Sequence, residues 1–134
     1  MTGEPVRTQI KNKIKADHPK LDVRNWGYVP SNVGKDLVVA VFVTDMEPAA
    51  SSTNVRQDVT VNVYGSKTTS EAVEDELDGV RDQVMLSLQR LDSFIWSKAT
   101  RTVWKESITG WQITGYVQFP NPYASTVRQE RNEQ

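Results

Sequence analysis

The sequence predicts one domain of α/β architecture, α+β in type, and three observations carry the prediction. A strongly apolar run from Leu37 to Thr44 is followed by a cleanly alternating one from Val55 to Tyr64. A long amphipathic helix from Thr68 to about Leu91 comes next, and a second β-rich stretch closes the chain. The expected order is α-β-β-β-α-β-β, with two helices flanking a mixed or largely antiparallel sheet, because consecutive strands favour antiparallel pairing. With 134 residues there is room for one core. Residues 1–119 are assigned to that core, and 120–134 to a flexible polar tail.

The first helix is expected from about Pro5 to Asp17. Pro5 suits an opening turn and His18-Pro19 supplies the stop. Val6, Ile10 and Ile14 recur at helical spacing beside a basic row of Arg7, Lys11 and Lys15, so the helix has a thin apolar face, suited to the edge of a core or to a neighbouring subunit. Leu21 to Val29 reads as a short, imperfect strand interrupted at Gly27 and ended by Pro30-Ser31-Asn32. Leu37 to Thr44 is apolar on both parities, as a mid-sheet strand covered on both faces must be. Met46 to Asn54, rich in Pro, Ala and Ser, reads as a mobile loop or extended arm.

From Val55 to Tyr64, Val59, Val61 and Val63 alternate with Asp58, Thr60 and Asn62, which predicts one buried and one wet face. Thr68 and Glu71 fit a capping box at the head of the long helix. Along that helix Val73, Leu77, Val80, Val84, Leu88 and Leu91 share one face, and Glu71, Asp75, Asp78 and Asp82 lie almost opposite. Acids at the head also suit the positive end of the helix dipole. The last unit is a hairpin of Thr100–Glu106 and Trp111–Phe119 joined through Ser107 to Gly110. A two- or four-residue turn puts Trp104 on one face with Trp111, Ile113, Val117 and Phe119, whereas a three-residue turn reverses the parity.

Composition excludes several kinds of chemistry. There is no cysteine, hence no disulfide, thiolate nucleophile or cysteine-based metal site. No apolar run reaches the ~18 residues of a membrane span, and the start from Met1 to Lys15 is polar and basic rather than a signal pattern. Neither phosphate-loop motif nor a G-x-S-x-G elbow occurs, and the single histidine, His18, sits at an expected helix end. No catalytic, cofactor-binding or metal site is therefore assigned, and no cofactor is expected. The net charge of −1 conceals a segregation: residues 1–35 carry seven Lys/Arg against three acids, and residues 36–100 carry five against eleven. Such asymmetry marks candidate surfaces for another copy or a different partner, with solvated faces as the plain alternative. The acid row has a spacing that a hard cation tolerates but does not demand; a solvated helix face is the better explanation, with a basic protein partner next. Met85 and Leu86 lie off the apolar stripe, so the long helix carries more apolar circumference than one sheet covers, and a local loop or the C-terminal tail covers the excess as readily as a second subunit would. The candidate interface residues are thus Arg7, Lys11, Lys15, Glu71, Asp75, Asp78, Asp82, Met85 and Leu86.

The basic first helix, the strand LVVAVFVT, the small-residue loop, VTVNVYG, the acid-headed helix SKTTSEAVEDELDGVRDQVMLSLQRL and the hairpin RTVWKESITGWQITGYVQF together resemble the tail terminator proteins of long-tailed bacteriophages. The resemblance extends to about Phe119 and rests on length, element order and the texture of the second half. It implies a structural virion protein, assembled in the host cytoplasm and placed at the head-proximal end of the tail. There a homo-oligomeric ring, a hexamer in this family, caps the tube, stops its polymerisation and offers the head-docking surface. The implied partners are further copies of the chain, the tail tube protein and a head connector or stopper protein. The resemblance further implies that DNA passes through the channel without specific binding and that no membrane is involved. The alternatives are another tail or connector component, which ring against open polymer distinguishes, and a small enzyme or nucleic-acid module.

Overall fold

A computed structural model describes residues 5–30, 37–49, 53–65, 70–91, 93–106 and 108–132. The order is α1 (Val6–Asp17), β1 (Asp22–Arg24), β2 (Val38–Pro48), β3 (Asn54–Tyr64), α2 (Glu71–Gln89), β4 (Phe94–Trp104), β5 (Ile108–Pro120) and α3 (Pro122–Asn132). The strands form one mixed sheet in the order β1-β2-β3-β5-β4. Only β1 and β2 are parallel; the other neighbours are antiparallel. The α+β class and the first seven elements are those expected, and α3 adds an eighth. Residues 122–132 of the segment expected as a flexible tail are thus helical. Pro122 supplies the first helical position, and the Asn121 Oδ1 accepts from the Tyr123 N–H at 3.0 Å.

One sheet face carries α1 and α2. Ile10, Ile14, Leu77, Val84 and Leu88 are buried from the helix side against Val39, Val41, Val59, Val61, Val63, Ile113 and Val117 from the strands. The apolar stripe of the long helix is the one expected, and α1 is part of this core rather than peripheral to it. The cap of α2 differs from expectation: Ser70, not Thr68, is the N-cap, and its side chain accepts from the Val73 N–H at 3.2 Å. Thr68 lies outside the described residues.

The opposite sheet face is only partly wet. Val38, Ala40, Tyr64 and Ile108 form a second buried cluster, against which Tyr28, Val29 and Trp104 pack. Thr60 and Asn62, expected on the solvated side of β3, are buried here as well. The Asn62 Nδ2 donates to the Tyr64 hydroxyl at 3.0 Å, and burial pushes that phenol's pKa upward against the opposing effect of this bond.

The closing hairpin turns earlier than its glycine suggests. Trp104 pairs with Ile108, leaving three residues in the turn, and Lys105 and Glu106 take positive φ of 51° and 63°. Residue 107 lies outside the described residues. The reversed parity puts Trp104 on the second cluster, with its ring 4.6 Å from that of Tyr64 at 71°, while Trp111 stays on the helix face. Gly110 is no turn residue. It pairs with Tyr64, and a Cβ there would stand 1.8 Å from the Val63 carbonyl oxygen, so only glycine admits the strand contact.

The Met46–Asn54 stretch, expected as a loop, is strand at both ends: β2 runs to Pro48 and β3 starts at Asn54. Glu47 pairs with Arg56 in the ladder, and Arg56 bridges Glu47 (3.5 Å) and Asp58 (2.7 Å) while lying 3.9 Å over the Tyr116 ring. Residues 50–52 lie outside the described residues. The prediction from this architecture concerns parity: a double-mutant cycle of Tyr64→Leu and Trp104→Leu should read a coupling of about 0.5–1.5 kcal/mol in chemical denaturation. A coupling near zero would return Trp104 to the helix face.

Candidate interaction surfaces

The acid row of α2 is not a uniform solvated stripe. Glu71, Asp75 and Asp82 are exposed, but Asp78 is half-buried and tied down. It accepts from the Trp111 Nε1 at 3.2 Å and from the Arg81 Nη1 at 3.4 Å. Arg81 also meets Asp82 at 2.9 Å, and its guanidinium lies 4.5 Å over the Trp111 ring. One turn earlier Glu74 pairs with Arg101 of β4. An arginine thus interrupts the row, and two acids of the helix anchor it to the sheet. Among the described residues no group of three acids or histidines converges on a cation-sized site.

The basic row of α1 is similarly divided. The Lys15 Nζ donates to the carbonyls of Pro19 (2.8 Å) and Leu21 (2.6 Å), so its charge stabilises the turn into β1. Arg7 is exposed and Lys11 half-buried, and neither forms an ion pair among the described residues. Of the two apolar residues expected outside the stripe, Met85 is half-buried and packs against the main core. Leu86 is outward-facing, 56% exposed.

His18 caps α1, its N–H donating to the Ile14 carbonyl at 2.8 Å. It does have side-chain partners: its Nε2 lies 3.3 Å from the Gln83 carbonyl and 3.3 Å from the Ser87 Oγ. Ser87 in turn donates to the Asp17 Oδ2 at 2.7 Å. The three residue types are those of a hydrolase, but their order is wrong for one. Ser87 is fully buried and donates to the carboxylate instead of to the imidazole, so the arrangement joins α1 to α2. Lys13 and Arg90 add ion pairs to Asp17 at 3.6 and 3.2 Å.

Several apolar side chains face outward elsewhere. β4 is a long edge strand carrying exposed Ile95, Trp96 and Val103, and a bulge between Trp96 and Lys98 breaks its ladder. At the distal end of the sheet the Tyr123 hydroxyl lies 3.5 Å from the Met46 Sδ, and both side chains are exposed. Beside β1, Arg24 is clamped by Asp22 at 2.8 Å and lies over the rings of Trp26 and Tyr28 at 5.5 and 4.8 Å. An apolar groove of about 290 Å³ opens between α1 and the end of β5, lined by Val6, Ile10, Leu91, Val117 and Phe119.

The sequence reading missed the surface of α3, where Tyr123, Val127, Arg128 and Arg131 are exposed. A helix signal was present: an Asn-Pro start followed by Tyr123, Val127 and Arg131 at spacings of four. No protein-family model matches the chain, and no curated protein matches it.

The α1–α2 junction generates a pH prediction. Asp17 has its pKa held below the ordinary carboxylate value, first by the Ser87 hydroxyl, then by Lys13 and Arg90, against an opposing desolvation. A depressed folded pKa contributes stability above the unfolded value of about 3.9, and that stability is lost as pH falls through the lower folded value. The deficit of Asp17→Asn relative to the unsubstituted chain, read from denaturant midpoints, should therefore shrink between about pH 6 and about pH 2. A deficit independent of pH would mean that the charge of Asp17 is not what the junction uses.

Proposed function

We propose that this chain is a tail terminator: a structural subunit that closes into a ring on the end of a phage tail tube, halts tube growth and presents a surface to the head. The observation that carries the reading is the distribution of exposed apolar side chains on separate parts of the subunit. Leu86 lies on α2, Ile95, Trp96 and Val103 on the β4 edge, and Met46 and Tyr123 at the distal end of the sheet. A free monomer leaves such surface wet, whereas a ring subunit needs two different faces for its neighbours and further ones for tube and head.

The element order supports the same reading, with a mixed sheet flanked by helices as the resemblance implies.

The test is a tube-growth assay. Purified protein added to the polymerising tube protein of the same virion should stop growth at short lengths and appear as a cap at one tube end in electron micrographs. Tubes of unchanged length would sink the proposal. If the chain itself polymerised without limit, the tube-protein alternative would replace it.

A further inference from the structure

α3 leaves the domain with little to stand on. It has 11 residues, fewer than the ~12–15 at which isolated helices become even marginal in water. The tie at its base joins the Asn121 N–H to the Thr53 carbonyl at 2.8 Å, and Tyr123 meets Met46. Beyond that first turn Val127 is 44% exposed, and Arg128 and Arg131 are exposed too. Pro120 and Pro122 bracket Asn121, so the joint has little freedom to fold the helix back.

α2 offers a matching surface. Ala72, Gly79 and Leu86, seven residues apart, form an outward seam, flanked on one side by Glu71, Asp75, Asp78 and Asp82. Gly79 is exposed in the middle of a 19-residue helix, and a Cβ there would meet nothing within 4 Å. Packing among the described residues therefore does not require glycine, which weakens the helix relative to alanine, and the position leaves room for close approach from outside.

From this pairing we propose that α3 of one copy packs on the outer face of α2 of a second copy. Tyr123 lies over the gap at Gly79, Val127 lies against Leu86, and Arg128 and Arg131 face the acid row. Charge decides between this seat and the apolar groove beside α1. The first acid of α1 is Asp17, preceded by four basic residues, so that helix repels the two arginines while α2 attracts them. Charge also sets the direction. Four acids flank the α2 seam on the side of lower helical angle against Glu76 on the other, the arginines flank theirs on the higher, and such flanks meet when two helices run parallel. The contact joins two different patches, so it is heterologous and propagates to a ring or a filament.

The absence of cysteine makes a disulfide test clean. The double variant Leu86→Cys/Val127→Cys, oxidised at native concentration, should give a ladder of covalent oligomers on denaturing gels. Val127→Cys with Gln9→Cys, at the groove, should give none. A cross-link within one chain, no cross-link, or the groove cross-link in place of the first would overturn the proposal. Gly79→Gln supplies a readout that a purely structural role would not move: it should raise the Tm of the subunit and yet weaken association. Association unchanged by Gly79→Gln would also overturn it. Reversing Arg128 and Arg131 to Glu should weaken association about fivefold per residue, as lost exposed charge pairs do, and Asp75→Lys/Asp82→Lys in the same chain should restore it. Failure of this contact with tube capping intact leaves the terminator reading standing. A correct ladder without capping retires that reading and leaves the contact.

Discussion

Everything in this fold hangs on the pairing of β3 with β5. Eleven residue pairs run without a bulge from Asn54 opposite Pro120 to Tyr64 opposite Gly110, and both strands are internal to the sheet. The pairing holds Val59, Val61 and Val63 beside Ile113 and Val117, which are the floor on which α2 lies. It also fixes where the two outward helices begin. α2 starts beyond one end of β3, and α3 starts at the last ladder pair, Asn54 with Pro120. The tightest point is Gly110 against the Val63 carbonyl, where any side chain would force the strands apart.

The regular parts of this design were legible in the sequence because each has a period. The stripe from Val73 to Leu91, the alternation through Val63 and the doubly apolar β2 all follow from the period of their own element. What was not legible depends on partners distant in sequence. Gly110 looked like a turn because glycine serves turns and close approaches alike, and the choice is made by Val63. That moved the hairpin turn to Lys105 and Glu106 and sent Trp104 to the opposite face. Asn62 looked solvated until Tyr28, Val29 and Trp104 closed over its neighbours. α3 looked like a tail because its composition is polar; the Asn-Pro start and the Tyr123–Val127 spacing were weak against that.

For the candidate interface residues, a helical wheel shows which side a charge takes, not whether the fold uses it. Lys15 serves the turn into β1, Asp78 serves Trp111 and Arg81, and Met85 serves the core. What remains outward is smaller and better defined: Arg7 and Lys11 on α1, Glu71, Asp75, Asp82 and Leu86 on α2. Exposed ion pairs are weak, about 0–1 kcal/mol each, so any association must draw most of its strength from apolar contact and use charge for selection. In the proposed contact the exposed Leu86, Tyr123 and Val127 would provide the former, and the acid row with the two α3 arginines the latter.

Native mass measurement of the purified chain over a range of concentrations tests the central claim, that the subunit closes on copies of itself, most directly. The account predicts a single closed species, six-membered as the resemblance implies, whose mass stops growing once formed. A monomer at every concentration, or a series of oligomers extending without a limit, would contradict it.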